Sequence, residues 1–272
     1  MAENLSNFPG TVELLNEQQI GYHSSGHSIH PTIFEFSDVT SYQEAYQISL
    51  TRETAHINPL TGSMEGEGGI YALKALFPKK QIVSFRAPGY CWNPPHLEAM
   101  KTLGINYDFS TRITADPFNY QGITFYPFPL LTNDWQGGFN EHFRLQLRVL
   151  KHKTSVLTFH PSKMVNQGDW DFFYYSQKGI SANPSCLSQP RKRNPGEVAT
   201  IFHEFDLLLR HIKVLQKTRF LEVTSKLQSA KKTLSPSLLD AQNSYEFSIE
   251  WAKTYGYKPK FLYKHFLKFF KS

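Results

Sequence analysis

Short apolar runs alternate with helix-forming stretches in this chain, and two of those runs end on a reactive side chain. Residues 81–85 (QIVSF) lead directly into Arg86, and residues 155–159 (SVLTF) into His160. Such brief, mostly apolar runs bounded by lysine, proline or glycine read as buried strands. Residues 105–109, 123–128 and 220–223 add three more, and 20–24 reads as a strand end running into a loop rich in His and Ser. Helices are predicted between them. Residues 41–57 carry Ser41 as N-cap with Glu44 three places on, a capping box. Pro94-Pro95 opens a helix through Leu103, and Gly104 is its natural C′ residue. Residues 11–19, 140–151 and 197–216 read as further helices, and 58–69, with Pro59 and four glycines, as a loop. Strands alternating with helices argue for parallel βαβ units, in a barrel or an open sheet.

At 272 residues the chain suits one large α/β domain with a small appendage, and its 40% hydrophobic content can fill a core. A break near 233–236 divides it into residues 1–233, the main domain, and 234–272, a helical C-terminal extension. The 15% aromatic content suits a packed interior, and equally a cleft where flat rings stack on sugars. Net charge is +6, but the excess is local, in Arg191-Lys192-Arg193, Lys231-Lys232 and the lysines after Lys258. Solvated loops and helix faces account for it, no nucleic-acid motif accompanies it, and no nucleic-acid partner is expected. Residues 259–271 place Phe261, Leu262, His265, Phe266, Phe269 and Phe270 near one helix face and lysines on much of the rest. Docking on the domain is the favoured role of that helix, with contact to a membrane surface the alternative. Two cysteines, Cys91 and Cys186, make neither a disulfide scaffold nor a CxxC zinc pair. No basic-then-apolar leader and no transmembrane run is visible, so a cytoplasmic protein is expected.

Three segments carry chemistry, each at or just beyond a strand end, where α/β folds build their sites. The first, GYHSSGHSIHP, concentrates three of the 11 histidines, His23, His27 and His30, within eight residues. Neutral imidazoles are common zinc ligands, and His23 and His27 at a spacing of four would share one side of a helical turn. A metal site and a polar loop whose histidines cap local backbone are both open. The second is Arg86-Ala-Pro-Gly-Tyr90, whose guanidinium can orient a carboxylate or steady developing negative charge, or simply close the strand end in a salt bridge. The third is Leu157-Thr-Phe-His160-Pro, whose histidine is a candidate general acid or base, or a structural one.

Taken together, and in this order, the segments resemble the motifs of the polysaccharide deacetylases (carbohydrate esterase family 4). His23-Ser-Ser-Gly-His27 resembles the family's H-[S/T]-x-x-H metal motif, Arg86-Ala-Pro88 its R-x-P motif and Leu157-Thr-Phe-His160 its late L-x-H motif. The resemblance covers roughly residues 10–225. It implies a distorted (β/α) barrel with fewer than eight strands, and a metal-dependent hydrolase that removes N-acetyl groups from a polysaccharide or glycoconjugate. It implies a divalent metal, usually zinc, held here by His23 and His27. Arg86 would position the catalytic carboxylate, His160 would protonate the leaving amine, and Tyr90 sits where a donor helps hold the oxyanion.

The chain departs from the pattern at one point. The family's opening T-F-D-D motif supplies the general base and a third metal ligand, yet only 22 residues precede His23 and none is Asp. Of the acids there, Glu13 and Glu17 fall on an expected surface helix. Either a longer natural chain carries the missing strand, or the chain is a degenerate relative, a non-catalytic glycan-binding protein. His30 is the candidate third ligand, and Glu65 and Glu67 the candidate lid residues. Trp135 is a candidate sugar-stacking ring beside Asp134, and Asp108 is another acid near a strand end; ordinary structural roles are the alternative for these three.

Overall fold

The computed structural model of the protein describes residues 5–24, 39–58, 63–113, 115–127, 131–132, 156–157, 161–167, 191–214 and 237–254. The chain divides into two compact units, one formed by Met1–Pro127 with Glu222–Ser272, the other by Phe128–Leu221.

The first unit begins with helix α1 (Pro9–Leu15), on and after which Glu13 and Glu17 are exposed, as expected of a surface helix. Helix α2 (Tyr42–Thr54) starts where the capping residues place it, with Ser41 Oγ accepting from the Glu44 N–H at 3.3 Å. It stops short of the predicted end. The Gly68 N–H bonds to the Thr54 carbonyl at 2.8 Å, and the chain turns into β1 (Ala55–Ile57), antiparallel to β2 (Met64–Glu67). Residues 58–69 are therefore not all loop. All four residues of β2 are exposed, so no apolar alternation marks it in the sequence.

Helix α3 (Gly69–Leu76), strand β3 (Ser84–Phe85), a 3-10 turn (Pro88–Tyr90) and helix α4 (Pro94–Thr102) follow. The Asn93 side chain caps α4 by accepting from the His96 N–H at 3.1 Å, the two prolines occupy its first turn, and Gly104 beyond its end has φ +92°. Strands β4 (Tyr107–Asp108), β5 (Phe118–Tyr120) and β6 (Ile123–Phe125) complete the sheet. The sequence reading contains β6 but not its hairpin partner β5. Gln121 (φ +52°) and Gly122 (φ +76°) make the two-residue turn between them, of the kind that matches strand twist.

The strand order is β3-β4-β6-β5, with β3, β4 and β6 parallel and β5 antiparallel at the edge. On the other side of β3, Tyr22 forms a parallel bridge to Phe85: its N–H bonds to the Ser84 carbonyl at 2.8 Å, and the Arg86 N–H returns to the Tyr22 carbonyl at 3.1 Å. The expected α/β class with parallel strands is thus present. Among the described residues these strands form an open run rather than a closed barrel.

The core of this unit gathers around Trp92, whose ring lies 5.2 Å from Phe125 and 5.3 Å from Tyr245. Tyr245 belongs to helix α7 (Leu238–Thr254), which also supplies Ser244 Oγ to accept from Trp92 Nε1 at 3.0 Å. A buried indole needs such a partner, because an unpaired N–H there costs much of its desolvation. Cys91 is a buried thiol that burial pushes up to about 12, and Cys186 lies outside the described residues.

In the second unit, β7 (Leu131–Thr132) runs parallel to β8 (Val156–Leu157), and α5 (Pro161–Val165) packs on α6 (Pro195–Val214). A reciprocal capping box opens α6: the Glu197 N–H donates to Asn194 Oδ1 and the Asn194 N–H to Glu197 Oε2, both at 2.9 Å. Arg193, in the basic run, donates from Nε to the carbonyls of Lys163 and Asn166, both at 3.0 Å. No helix among the described residues is long and apolar enough to cross a membrane. The helix expected over 259–271 lies outside the described residues.

The packing of α7 gives a graded test. Trp92→Ala should cost roughly 3–5 kcal/mol of unfolding free energy, and Ser244→Ala, which removes the indole's acceptor, roughly 1 kcal/mol or more. Urea unfolding of the two variants checks the order; equal small losses would mean that α7 does not close this core.

Candidate functional site

Parallel strands end together, so the carboxyl ends of the Tyr22 bridge, β3 and β4 deliver His23, Arg86 and the Asp108–Ser110 corner to one edge of the sheet. There the first two sequence motifs meet. His23 Nδ1 lies 2.5 Å from the Arg86 carbonyl oxygen and Nε2 lies 3.1 Å from Arg86 Nη2. These partners fix the tautomer. A carbonyl only accepts and a guanidinium only donates, so Nδ1 carries the proton and Nε2 presents its lone pair. Arg86 Nη1 donates to Tyr90 Oη at 3.0 Å, and the guanidinium carbon sits 5.4 Å from the centre of the Tyr90 ring.

Tyr90 adopts a left-handed backbone, φ +60°, directly after Gly89 at φ +58°. That conformation costs a tyrosine of order 1 kcal/mol and persists only where its surroundings enforce it. Here the Tyr90 N–H bonds to the Ala87 carbonyl at 2.9 Å, and Ser248 Oγ on α7 donates to the Tyr90 carbonyl at 3.2 Å. A second guanidinium, Arg112, lies 5.4 Å from the same ring and 5.5 Å from Phe247 of α7.

Two buried carboxyl groups flank this edge. Glu53, on the last turn of α2 and only 2% exposed, accepts from Tyr22 Oη, from Ser24 Oγ at 2.7 Å and from His96 Nε2 at 2.8 Å. Burial by itself would raise the Glu53 carboxyl. The His96 hydrogen bond and charge, then the Tyr22 and Ser24 hydroxyls, outweigh it and hold the group below the ordinary glutamate range. The sequence reading missed both Glu53 and His96.

Asp108, 1% exposed at the end of β4, accepts only from Ser110 among the bonds seen here, from its N–H at 2.7 Å and its Oγ at 3.0 Å. Burial pushes its carboxyl up to about 7, against the pull of Ser110. Ser110 Oγ also accepts the Ala87 N–H at 2.7 Å, tying the exit of β4 to the Arg86 segment. Asp108 is therefore a buried member of the strand end rather than an ordinary loop residue.

Of the expected site residues, His23, Arg86 and Tyr90 are brought together. His27, His30, Asp134, Trp135 and His160 lie outside the described residues. Glu65 and Glu67 are exposed on β2. His23 suits a metal in one respect: metal-bound histidines usually donate their other ring N–H to a carbonyl or carboxylate, as Nδ1 does here, leaving Nε2 as the ligand atom. Arg86 Nη2 holds that lone pair in this structure. Among the described residues no group of three or more His, Cys, Asp and Glu is placed to hold a metal.

No protein-family model matches the chain, and no curated protein matches it. It is similar to a solved structure from Bordetella bronchiseptica, provisionally described as a polysaccharide deacetylase involved in O-antigen biosynthesis. The two are 15% identical, with a TM-score of 0.30, over 75% of this chain and 84% of that one.

Asp108 sets a pH signature. Its folded value of about 7 lies above the unfolded value near ~3.9, so the fold retains a proton that the unfolded chain has released. Its contribution to stability is intact below about pH 4 and declines as pH rises to about 7, by a few kcal/mol in order of magnitude. Asp108→Asn should flatten the stability profile across that window in urea titrations. A variant with the wild-type slope would show that Asp108 does not titrate there.

Proposed function

We propose that this protein is a hydrolase of N-acylated aminosugars in a polysaccharide or glycoconjugate, centred on His23, Arg86 and Tyr90. One observation supports the reading above all. Two short motifs 63 residues apart, each weak alone, put His23 and Arg86 in direct contact at the ends of neighbouring parallel segments. A chance likeness of motifs has no reason to bring their side chains together.

Each group has a role consistent with that chemistry. The Arg86 guanidinium is a fixed donor whose Nη2 can turn from His23 towards negative charge developing on an acyl oxygen. Tyr90 Oη accepts from Arg86, and a phenol O–H is the kind of donor that can meet a substrate oxygen. His23 offers a lone pair at Nε2 of a neutral ring. His23 and His27 would hold a divalent metal, zinc by donor chemistry, and what it supplies when bound is Lewis-acid polarisation of the acyl carbonyl. The distorted (β/α) barrel implied by the motifs is part of the same reading. Glu53 does not stand in for the acid of the family's opening motif, since its carboxylate is engaged by Tyr22, Ser24 and His96.

Acetate release from N-acetylglucosamine oligomers, with zinc supplied, tests the reading. Wild-type protein should release acetate, and Arg86→Ala should lower kcat/KM by roughly 100-fold or more, as loss of a donor to an oxyanion does. His23→Ala should abolish turnover and weaken zinc binding. Oligomer binding without acetate release, at any zinc concentration, would replace the hydrolase with a non-catalytic glycan-binding protein; neither binding nor release would remove both.

A further inference from the structure

His23 is held by more than Arg86. Its two neighbours, Tyr22 and Ser24, both bond to one carboxylate, that of Glu53. The two hydroxyls thus hold the residues either side of His23 to Glu53 while the imidazole meets Arg86. Ser24 reaches Glu53 Oε1 with φ +66°, a left-handed backbone that a serine adopts only when something repays its cost.

Glu53 is itself fixed. His96, in the first turn of α4, holds Oε1 at 2.8 Å, and its ring packs 5.4 Å from Phe85, the residue bridged to Tyr22. Gly69 closes in from the start of α3: a Cβ there would stand 2.2 Å from the Glu53 carbonyl oxygen and 3.1 Å from Tyr22 Oη. Only glycine permits that approach, and at φ +53° only glycine takes the conformation without strain. Three segments, the end of α2, residues 22–24 and the start of α4, meet at this carboxylate, and the start of α3 packs on the Glu53 backbone.

We infer that Glu53 is a positioning residue for His23: by holding Tyr22 and Ser24 it keeps the imidazole in register with Arg86 and in the tautomer that offers Nε2. Glu53 is buried, and its described side-chain bonds are to Tyr22, Ser24 and His96. The use of His23 in hydrolysis rests on the function proposed above; its placement by Glu53 does not.

The test reads the His23 ring directly. Protein labelled with 15N-histidine and freed of metal by chelator is compared at fixed pH, with the His23 signals assigned by their loss in His23→Gln. Wild type should show the Nδ1–H tautomer. Glu53→Gln, which keeps the shape and loses the charge, should move His23 towards a mixture of tautomers while near-UV circular dichroism keeps its folded form. A folded Glu53→Gln with unchanged His23 signals would overturn the inference, because a merely structural carboxylate would lower stability and leave the tautomer alone. If Glu53→Gln does not fold, Tyr22→Phe and Ser24→Ala each remove one hydroxyl. Partial shifts in both would support the grip, and unchanged signals in both would overturn it. Wild-type protein that releases no acetate would sink the hydrolase reading and leave this outcome standing.

Discussion

A carboxylate taken out of water must find donors, and in this fold that demand is met by parts of the chain far apart in sequence. Glu53 accepts from Tyr22, 31 residues away, and from His96, 43 residues away. An unpartnered charge at 2% exposure would cost several kcal/mol or force the group to neutralise. The arrangement therefore works only if the Tyr22 segment, α2 and α4 arrive together. The parallel bridge from Tyr22 to Phe85 depends on the same meeting, and the His23–Arg86 contact lies directly beyond it.

The two buried carboxyl groups at this edge show how donors decide a charge state. Both are almost wholly shielded, and burial pushes both upward. Glu53 accepts from Tyr22, Ser24 and the His96 imidazole among the described residues, and ends below its ordinary range. Among the described residues Asp108 has Ser110 alone in that role, and it rises to about 7. Environments that separate two carboxyl groups in this way are a recurrent feature of sites that handle protons, and also of structural ion-pair networks. Glu53 belongs to the second kind here, since all its described contacts hold the chain. Asp108, through Ser110 Oγ and the Ala87 N–H, is bonded to the segment that carries Arg86.

What the sequence made legible follows the physics of each signal. Strands β3, β4 and β6 are visible as apolar runs, and α2 and α4 through Ser41, Pro94-Pro95 and Gly104, because caps and prolines act locally. Arg86 and Tyr90 were legible because they follow such a run. Glu53 was not. The buried stripe of α2 is Ala45, Ser49 and Glu53, four apart, so a search for apolar periodicity finds nothing to follow. β2 and β5 escaped for related reasons: one is exposed throughout, and the other is defined by a Gln-Gly turn that composition alone does not flag.

The shape of Tyr90 ties this edge to the far end of the chain. Two consecutive left-handed residues, Gly89 and Tyr90, bring the ring beneath two guanidiniums, and the local bonds from Arg86 and to Ala87 are not alone in holding that backbone. Further bonds come from α7. Ser248 donates to the Tyr90 carbonyl, the Cys91 thiol reaches the Ser248 carbonyl at 3.4 Å, and Ser244 bonds both Trp92 and Thr111. Residues 90 to 92 are thus bonded along one face of a helix more than 150 residues later. A segment that reads as an appendage by composition contributes the hydrogen bonds that keep the Tyr90 turn in a conformation it would not adopt alone. The Arg86–Tyr90 pair accordingly depends on α7 as well as on the strand that presents it.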